Sequence, residues 1–321
     1  MCDEMDQELL AIVCQIIEFE LKEQPLSIQR CAIGLCNEVY LVTISHTDVV
    51  VRFNRSPKAL LGTERYIPLF ASLDIPVPQL LASSYSLAVV PVAYQILSKI
   101  PGRDITDVIH TLTEDQLCTI AQNIAMIFQK LSRLPTNGKY GFIDISEDEA
   151  KNSWLDVIDD LVTTINERNK KSGVIEARHL EVLNSILAEH RDYFIQCPSI
   201  FYFDDLSAKN VMIDNGRFVG LVDLDNVAYG DPLEAVGRIE GSWFGTSYGR
   251  FYTDEIEKAL GLTTRQRRIV TMYAITNYIF WLAMKGVRYN SITSLEIDWD
   301  SVKDCRNAID SLILKYHSMS F

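Results

Sequence analysis

Residues 201–225 read FYFDDLSAKNVMIDNGRFVGLVDLD, and this stretch carries the strongest structural signal in the chain. At its centre, Asp214-Asn215-Gly216 is typical of a type I′ turn, because Asn and Gly tolerate the positive φ angles that this turn requires. The turn predicts a hairpin with strands at residues 210–213 and 218–222. Such a hairpin would return Asp223, which follows the second strand, to the side of Asn210, which opens the first.

Asp205, Asn210 and Asp223 together match the chemistry of phosphoryl transfer from a magnesium nucleotide. That reaction needs a carboxylate to orient and deprotonate the attacking hydroxyl, and oxygen ligands for Mg²⁺ at the phosphates of ATP or GTP. The D-x-x-x-x-N spacing matches the catalytic loop of kinases. We predict Asp205 as the catalytic base, and Asn210 and Asp223 as metal ligands. Loop capping would explain Asp205 and Asn210 equally well if they stood alone.

A second group of candidate residues lies upstream, in the first third of the chain. Arg52 falls within an apolar, strand-like run at residues 49–53, and Glu64 falls in the helix predicted next. An Arg-Glu pair would fix a cation for nucleotide phosphates, and Arg suits bidentate phosphate contact. The alternative is an exposed ion pair of little energetic value. The turn at residues 33–38, which contains Gly34, could cover phosphates with its backbone amides.

The order of predicted elements divides the chain into a strand-rich first third and a helical remainder. Strands are predicted at residues 26–33, 38–44, 49–54, 79–82 and 88–97, and the first three are predicted to form an antiparallel meander. Helices are predicted at residues 8–21, 56–73, 114–134, 147–170, 176–194, 265–285 and 302–317. We predict an α+β, bilobal, protein-kinase-like fold. An antiparallel-sheet lobe would span residues 1–98 and a larger, mainly helical lobe residues 99–321, with the ligand site in a cleft between them.

Composition narrows the classes of function. The formal net charge of −13 argues against nucleic acid as a ligand and favours a cationic or neutral small molecule. Residues 1–6 are acidic where a signal peptide is basic, and the longest apolar run, residues 87–97, is about half of the roughly 20 residues that a membrane span needs. The seven cysteines form no C-x-x-C pair. They predict reduced thiols, and therefore a cytoplasmic protein.

These motifs, in this order, resemble the aminoglycoside phosphotransferase family of kinase-like enzymes, which also includes choline, homoserine and methylthioribose kinases. The resemblance covers about residues 28–237. Residues 34–40 are similar to the family's nucleotide loop, which implies a nucleotide-binding role for Gly34 and Asn37. Residues 97–102 resemble its hinge, which implies that backbone groups of Ser98 and Ile100 bind adenine.

The resemblance extends to the cation and to the catalytic segment. Arg52 and Glu64 resemble the family's cation and its helix partner, and Asp205, Asn210 and Asp223 occupy the positions of its catalytic and metal motifs. Gly230-Asp231-Pro232 is similar to the segment that opens the following helix, which implies a capping role for Asp231.

The chain departs from the family pattern at the catalytic loop. The family usually has His-Gly-Asp where this chain has Phe203-Asp204-Asp205, so a histidine that normally braces the loop is missing. Asp204 could tune the site or contact a cationic substrate, but we expect it to face solvent. Leu35 and Cys36 stand where small residues are common, and this bulk could alter the choice between ATP and GTP.

The acceptor site is indicated only by the resemblance, which implies a position among the helices of the second lobe. The candidates are Asp156, Asp159 and Asp160, or residues 240–248 with Trp243, Phe244 and Tyr248. For each aromatic residue, an ordinary core position is the alternative. Two other functions are also considered, a catalytically silent nucleotide-binding module and a protein kinase. The second is disfavoured because Gly230-Asp231-Pro232 follows Asp223 too closely for an activation loop.

Overall fold

The fold is described from a computed structural model that covers residues 2–31, 37–45, 47–143, 150–206, 208–287 and 295–319. Its described residues form two compact units. The first contains residues 2–31, 37–45, 47–102 and 219–225, and the second contains residues 103–143, 150–206, 208–218, 226–287 and 295–319. The first boundary between the two units therefore falls after Gly102, whereas the sequence suggested a boundary after residue 98. Residues 219–225 join the first unit from much later in the chain.

The first unit is built on one antiparallel sheet. Its elements are α1 (Cys2–Leu21), β1 (Ser27–Arg30), β2 (Glu38–Thr43), β3 (Asp48–Asn54), α2 (Lys58–Ser72), β4 (Leu80–Ser84) and β5 (Ala93–Ser98). The strand order is β1-β2-β3-β5-β4, so the predicted three-stranded meander is confirmed and β5 inserts between β3 and β4.

The core of the first unit lies between α1 and the sheet. Ile12, Val13, Ile16 and Ile17 recur at helical spacing on α1 and are buried against strand residues such as Val51. Four of the seven residues of β3 are buried and the other three are half-buried, and its register places Arg52 opposite Val39 on one side and Gln95 on the other. Arg52 is therefore held in the middle of the sheet, at 4% exposure.

The second unit is mainly helical. Its helices are α3 (Ile105–Val108), α4 (Glu114–Leu131), α5 (Trp154–Ser172), α6 (Ala177–Glu189), α7 (Arg191–Gln196), α8 (Leu233–Trp243), α9 (Thr253–Ala259), α10 (Thr264–Ala283) and α11 (Trp299–Ser318), with one-turn 3₁₀ helices at Ile109–Thr111 and Ala208–Asn210. The predicted helix at residues 176–194 is divided at His190. Among the described residues, no helix is both long enough and apolar enough to cross a bilayer.

Helix α8 lies at the centre of the second unit. Nine of its eleven residues are buried, and they include Glu234 and Glu240. It packs against α10 at Gly237, where an added Cβ would lie 2.5 Å from Tyr273 Cβ and 2.8 Å from the Val270 carbonyl oxygen. The absence of a side chain at Gly237 therefore permits the close approach of the two helices.

Short strands position the functional segment. β7 (Gly141–Ile143), β11 (Val227–Gly230) and β8 (Ile200–Phe203) form an antiparallel sheet with β11 in the middle. β9 (Val211–Asp214) pairs with β6 (Arg103–Asp104) and leads through the turn into β10 (Arg217–Leu221). Asn215 and Gly216 have φ angles of 47° and 74°. These positive values confirm the predicted type I′ hairpin.

Candidate active site

The catalytic loop brings Asp205 and Asn210 together. Asp205 lies in the turn after β8, and Asn210 lies in the 3₁₀ turn before β9. The Asn210 Nδ2 donates to the Asp205 carboxylate oxygen Oδ2 at 2.8 Å and to the Asp205 carbonyl oxygen at 3.0 Å. Asp205 is half-buried and Asn210 is 6% exposed. The loop therefore fixes a partly accessible carboxylate, as a general base requires.

Asn210 and Asp223 each carry oxygen donors of the kind that Mg²⁺ prefers. Because Asn210 uses its amide nitrogen on Asp205, its amide oxygen is the atom suited to a metal, and the Asp223 side chain is 47% exposed. Both supply hard oxygen donors, and Mg²⁺ usually takes only one or two carboxylates beside water and phosphate oxygens. In the part of the chain that the structure describes, no cluster of three His, Cys, Asp or Glu is arranged for a metal.

Asp223 follows β10 with a left-handed backbone, at φ 58°. This conformation is uncommon outside glycine, and Asp is one of the residues that tolerate it best. Strained backbone of this kind persists where surrounding contacts hold it, and it is frequent at functional sites. Here the Asp223 Oδ1 accepts a hydrogen bond from the Arg52 Nη2 at 3.0 Å.

Arg52 is placed by partners that differ from the predicted one. Its Nη2 also contacts the Asp225 Oδ2, and its Nη1 donates to the Thr63 hydroxyl at 2.7 Å. Burial alone lowers the pKa of the Arg52 guanidinium, but the carboxylates of Asp225 and Asp223 outweigh burial and raise that pKa above its ordinary value. The cation is thus permanently charged.

Glu64 does not form the expected ion pair with Arg52 among the described residues. Its carboxylate instead accepts a hydrogen bond from the Tyr85 hydroxyl, which also accepts one from the Gln95 Nε2 at 2.8 Å. The physical reason is that Thr63, the residue before Glu64 on α2, faces Arg52 directly. Neighbouring positions on a helix point in different directions, so only one of them faces the cation.

The nucleotide-loop candidates have different outcomes. Gly34 lies outside the described residues. Asn37 is 7% exposed, and its side chain is engaged by protein groups. Its Nδ2 donates to the Asp225 Oδ2 at 3.3 Å, and its Oδ1 accepts from the Asn54 Nδ2 at 2.9 Å. Only the backbone of Asn37 therefore suits a phosphate contact.

The hinge candidates also differ from each other. The Ser98 amide donates to the Gln79 carbonyl oxygen at 2.9 Å, and the Ser98 hydroxyl accepts from the Gln79 amide at 2.8 Å. Ile100 lies beyond the end of β5, and none of the backbone hydrogen bonds found between described residues uses its peptide groups. Ile100 is therefore the better placed of the two to offer backbone groups to a base.

Asp204 is buried, so the expectation that it would face solvent is wrong. It is 6% exposed, and its Oδ2 lies 3.4 Å from the Arg238 Nη2 on α8. The same Arg238 Nη2 lies 3.2 Å from the Glu234 Oε1 one helical turn earlier. Burial raises the pKa of Asp204 to about 8, although the charge of Arg238 opposes this shift. Arg238 carries no motif that would have identified it from the sequence.

The raised pKa of Asp204 predicts a specific pH dependence of stability. Between pH 4 and pH 8 the folded state keeps a proton that the unfolded chain has lost, so this contribution is complete below the unfolded pKa and is lost as the pH rises through about 8. Each unit of such a shift corresponds to about 1.4 kcal/mol. We expect Asp204→Asn, which mimics the neutral acid, to flatten the decline of Tm between pH 5 and pH 8.

Thermal unfolding followed by circular dichroism at several pH values would measure this effect. The difference in Tm between Asp204→Asn and the wild type should grow in favour of the variant as the pH rises. Glu181→Gln, the same kind of change at an exposed position on α6, is the matched control and should leave the curve unchanged. If the plots of Tm against pH for Asp204→Asn and for the wild type are parallel, the raised pKa of Asp204 is contradicted.

Asp231 anchors the segment that leads into α8. Its Oδ1 accepts from the Leu233 amide at 3.1 Å, which is the expected capping role, and its Oδ2 accepts from the hydroxyls of Tyr193 at 2.6 Å and Tyr273 at 2.8 Å. Tyr273 in turn accepts from the Trp154 Nε1 at 2.7 Å. These bonds connect α5, α7 and α10 to the start of α8, and the Trp154 ring packs edge-to-face against Tyr202 of β8.

The acceptor-site candidates fall on two different surfaces of the second unit. Asp156 lies in the first turn of α5, and Asp160 on the same helix pairs with Lys151. Trp243 is 6% exposed and packs edge-to-face against Tyr248 and Tyr252. A cavity lies beside these aromatic rings; it is lined by Glu240, Trp243, Phe244, Gly245, Thr246, Gly249, Thr253, Asp254 and Lys315.

Comparison with known proteins gives the family of the chain. The model of the phosphotransferase enzyme family, APH, matches residues 27–269. The chain therefore belongs to the phosphotransferase enzyme family, and the predicted class of enzyme is confirmed. No curated protein sequence matches the chain.

Solved structures of aminoglycoside phosphotransferases share the fold. A complex of APH(4)-Ia with AMP-PNP and hygromycin B has 16% identity and a TM-score of 0.71, over 96% of this chain and 99% of the other. A GDP complex of aminoglycoside 2'-phosphotransferase-IIIa has 15% identity and a TM-score of 0.68, over 95% and 98%. ADP-bound APH(2'')-Ib has 15% identity and a TM-score of 0.61, over 94% and 98%. The predicted α+β, kinase-like fold is confirmed.

Proposed function

We propose that the chain transfers the γ-phosphoryl group of ATP or GTP to a hydroxyl group of a small molecule. The observation that carries this proposal is the Asp205–Asn210 pair, in which a half-buried carboxylate is held by a carboxamide that keeps its oxygen for a metal. The nucleotides named for the similar structures, AMP-PNP, ADP and GDP, support a purine nucleotide as the donor.

In this proposal Asp205 orients the acceptor hydroxyl and receives its proton. The acceptor oxygen forms a bond to the γ-phosphorus as the bond from that phosphorus to the β–γ bridging oxygen breaks, and ADP or GDP leaves. Asn210 and Asp223 would hold Mg²⁺, which when bound neutralises charge on the phosphates. Little covalent chemistry is asked of the protein, so the positions of Asp205 and of the cation Arg52 decide the rate.

The nucleotide would be held by groups of the first unit. Arg52 offers a fixed positive charge to the phosphates, and the backbone at Asn37 and Gly34 is the proposed cover for them. Ile100, with the carbonyl group of Ser98, would bind the base. Glu64 supports this arrangement only indirectly, through Tyr85 and Gln95, since Gln95 lies opposite Arg52 in the sheet.

The acceptor is proposed to be a small hydroxylated molecule, and one with an amine is favoured by the acidic chain, whose formal net charge is −13. One similar protein was solved with hygromycin B. The proposed compartment is the cytoplasm, since Cys14, Cys31, Cys118, Cys197 and Cys305 are all free thiols in the described residues. Neither nucleic acid nor a membrane is proposed as a partner.

A catalytically silent nucleotide-binding module is the second candidate. The observation that favours it is the catalytic loop itself, where Phe203 replaces the usual histidine and is fully buried beside Asp204. In this reading the chain would bind a magnesium nucleotide and transfer nothing. A protein kinase remains the third and least favoured reading.

One experiment separates these candidates. Consumption of ATP and of GTP would be measured with Mg²⁺ across aminoglycosides, amino alcohols, sugars and macrolides, beside a serine- and threonine-containing protein substrate. We expect ADP or GDP to form only when a small acceptor is present. Nucleotide binding without any acceptor-dependent turnover would support the silent module, and phosphorylation of the protein substrate alone would support a protein kinase.

A further inference from the structure

Asp225 is a carboxylate of the first unit that was not among the predicted site residues, and three protein groups donate hydrogen bonds to it. Its side chain is 13% exposed. Its Oδ1 accepts from the Thr63 amide at 2.7 Å, and its Oδ2 accepts from the Asn37 Nδ2 at 3.3 Å and from the Arg52 Nη2. Both oxygens are therefore committed to protein donors, which makes Asp225 a structural partner and not a free acid.

Thr63 closes the arrangement around Arg52. Its hydroxyl accepts from the Arg52 Nη1 at 2.7 Å, while its amide donates to the Asp225 Oδ1 at 2.7 Å. Arg52, Thr63 and Asp225 thus form a closed triangle in which each member contacts the other two. With Thr63 at 1% exposure and Arg52 at 4%, the triangle is shielded from water. Hydrogen bonds to charged groups are strongest in such surroundings.

Gly62 makes the triangle possible. A Cβ at this position would lie 2.6 Å from the Asp225 carbonyl oxygen and 2.7 Å from the Asp225 Cα. These distances are far below ordinary van der Waals contact, so α2 approaches residue 225 this closely only because position 62 has no side chain. The absence of a side chain at Gly62 therefore brings the Thr63 amide within reach of Asp225.

Asp225 and Asp223 hold Arg52 in different ways. Asp223 has a side chain that is 47% exposed and is the proposed metal ligand, whereas the Asp225 side chain is 13% exposed and is bound on both oxygens. If Asp223 turns to a cation, Arg52 still keeps its bonds to Asp225 and Thr63. A buried guanidinium needs such a permanent counter-charge, because an unpaired buried charge is strongly destabilising.

We propose that Asp225 is the positioning residue that holds the Arg52 guanidinium for the nucleotide phosphates, in the place that Glu64 was expected to occupy. Thr63 is the second partner of Arg52, and Gly62 allows α2 to approach Asp225 closely enough for these contacts. The inference rests on the proposed function, because it assigns Arg52 to the phosphates. The position of the Arg52 cation is thus set by the segment that also carries Asp223, two residues before Asp225.

The test compares two isosteric carboxylate-to-amide changes. Asp225→Asn keeps an oxygen for the Thr63 amide and removes the counter-charge of Arg52, so we expect the Kd for ATP and for GTP to rise about tenfold or more, both with and without Mg²⁺. Glu64→Gln should change the Kd less than Asp225→Asn does. If Glu64 held the cation, the order of the two effects would be reversed. Glu181→Gln is the control for an exposed acid.

Isothermal titration of each purified full-length variant would give the Kd, and thermal unfolding would confirm that the variant is folded. If Mg²⁺ still strengthens nucleotide binding to Asp225→Asn, the metal ligand is intact, and the weaker binding reflects the lost position of the Arg52 cation. If Asp225→Asn does not fold, Thr63→Val gives the second measurement, because it removes the hydroxyl that accepts from Arg52 and keeps the amide that binds Asp225.

The possible outcomes separate this inference from the function on which it rests. A wild-type protein that binds neither ATP nor GTP would overturn the proposed function and, with it, the role of Asp225. Wild-type binding with unchanged Kd in a folded Asp225→Asn, or in Thr63→Val if that variant replaces it, would overturn the inference alone. A larger effect of Glu64→Gln than of Asp225→Asn would also overturn it.

Discussion

Replacement of Asp205 by asparagine is expected to lower kcat for the acceptor reaction by about 10²–10⁴-fold, the usual contribution of a general base. The amide cannot take the proton of the acceptor hydroxyl. It can still contact Asn210, whose Nδ2 bonds both the side chain and the carbonyl oxygen of residue 205. The loop should therefore keep its geometry, and the Kd for nucleotide should remain close to that of the wild type.

Steady-state kinetics with the acceptor found in the substrate survey, together with nucleotide titration, would measure both quantities. Asp214→Asn is a matched control, since it makes the same change in the neighbouring hairpin, where Asp214 contacts only its neighbour Asn215 among the described side chains. Turnover by Asp205→Asn equal to that of the wild type would exclude Asp205 as the base.

Replacement of Asp223 by alanine is expected to remove the dependence of nucleotide binding on Mg²⁺. The change deletes the exposed carboxylate that is proposed to bind the metal, while Arg52 keeps Asp225 and Thr63 as partners. We expect the Kd measured with Mg²⁺ to rise about 10–100-fold, toward the value without the metal. The Tm should change little, because the Asp223 side chain is 47% exposed.

Nucleotide titrations with Mg²⁺ and with a chelator would show this effect directly. The pattern is the reverse of the one expected for Asp225→Asn, which weakens binding under both conditions and keeps the response to Mg²⁺. A variant Asp223→Ala whose affinity still increases with Mg²⁺ as much as that of the wild type would rule out Asp223 as a metal ligand.

The helices and strands differ in how well they could be predicted from the sequence. The β1-β2-β3 meander and the β9–β10 hairpin were predicted because apolar alternation and turn residues act over a few positions. α8 was not predicted from its spacing, because it is short and its buried residues include two glutamates and two glycines. The position of β5 between β3 and β4 depends on long-range pairing, which no local pattern contains.

The contacts of the candidate site also differ in how well the sequence predicted them. The Asp205–Asn210 contact spans five residues, and its spacing alone was enough to predict it. The partner of Arg52 was predicted wrongly, because the sequence offered a glutamate on the next helix while the fold supplied Asp225 from 173 residues away. Asp204 was expected at the surface because acidic side chains usually lie there. It is buried instead, beside the Arg238 guanidinium.

The sequence by itself determined the family, the hairpin and the order of the chemical groups in the stretch from 201 to 225, because those features depend on residue types at short, fixed spacing. The tertiary structure alone decided which carboxylate holds Arg52 and which acid is buried beside Asp205. Both outcomes depend on close backbone approach and on exclusion of water, and these arise only when distant segments pack together.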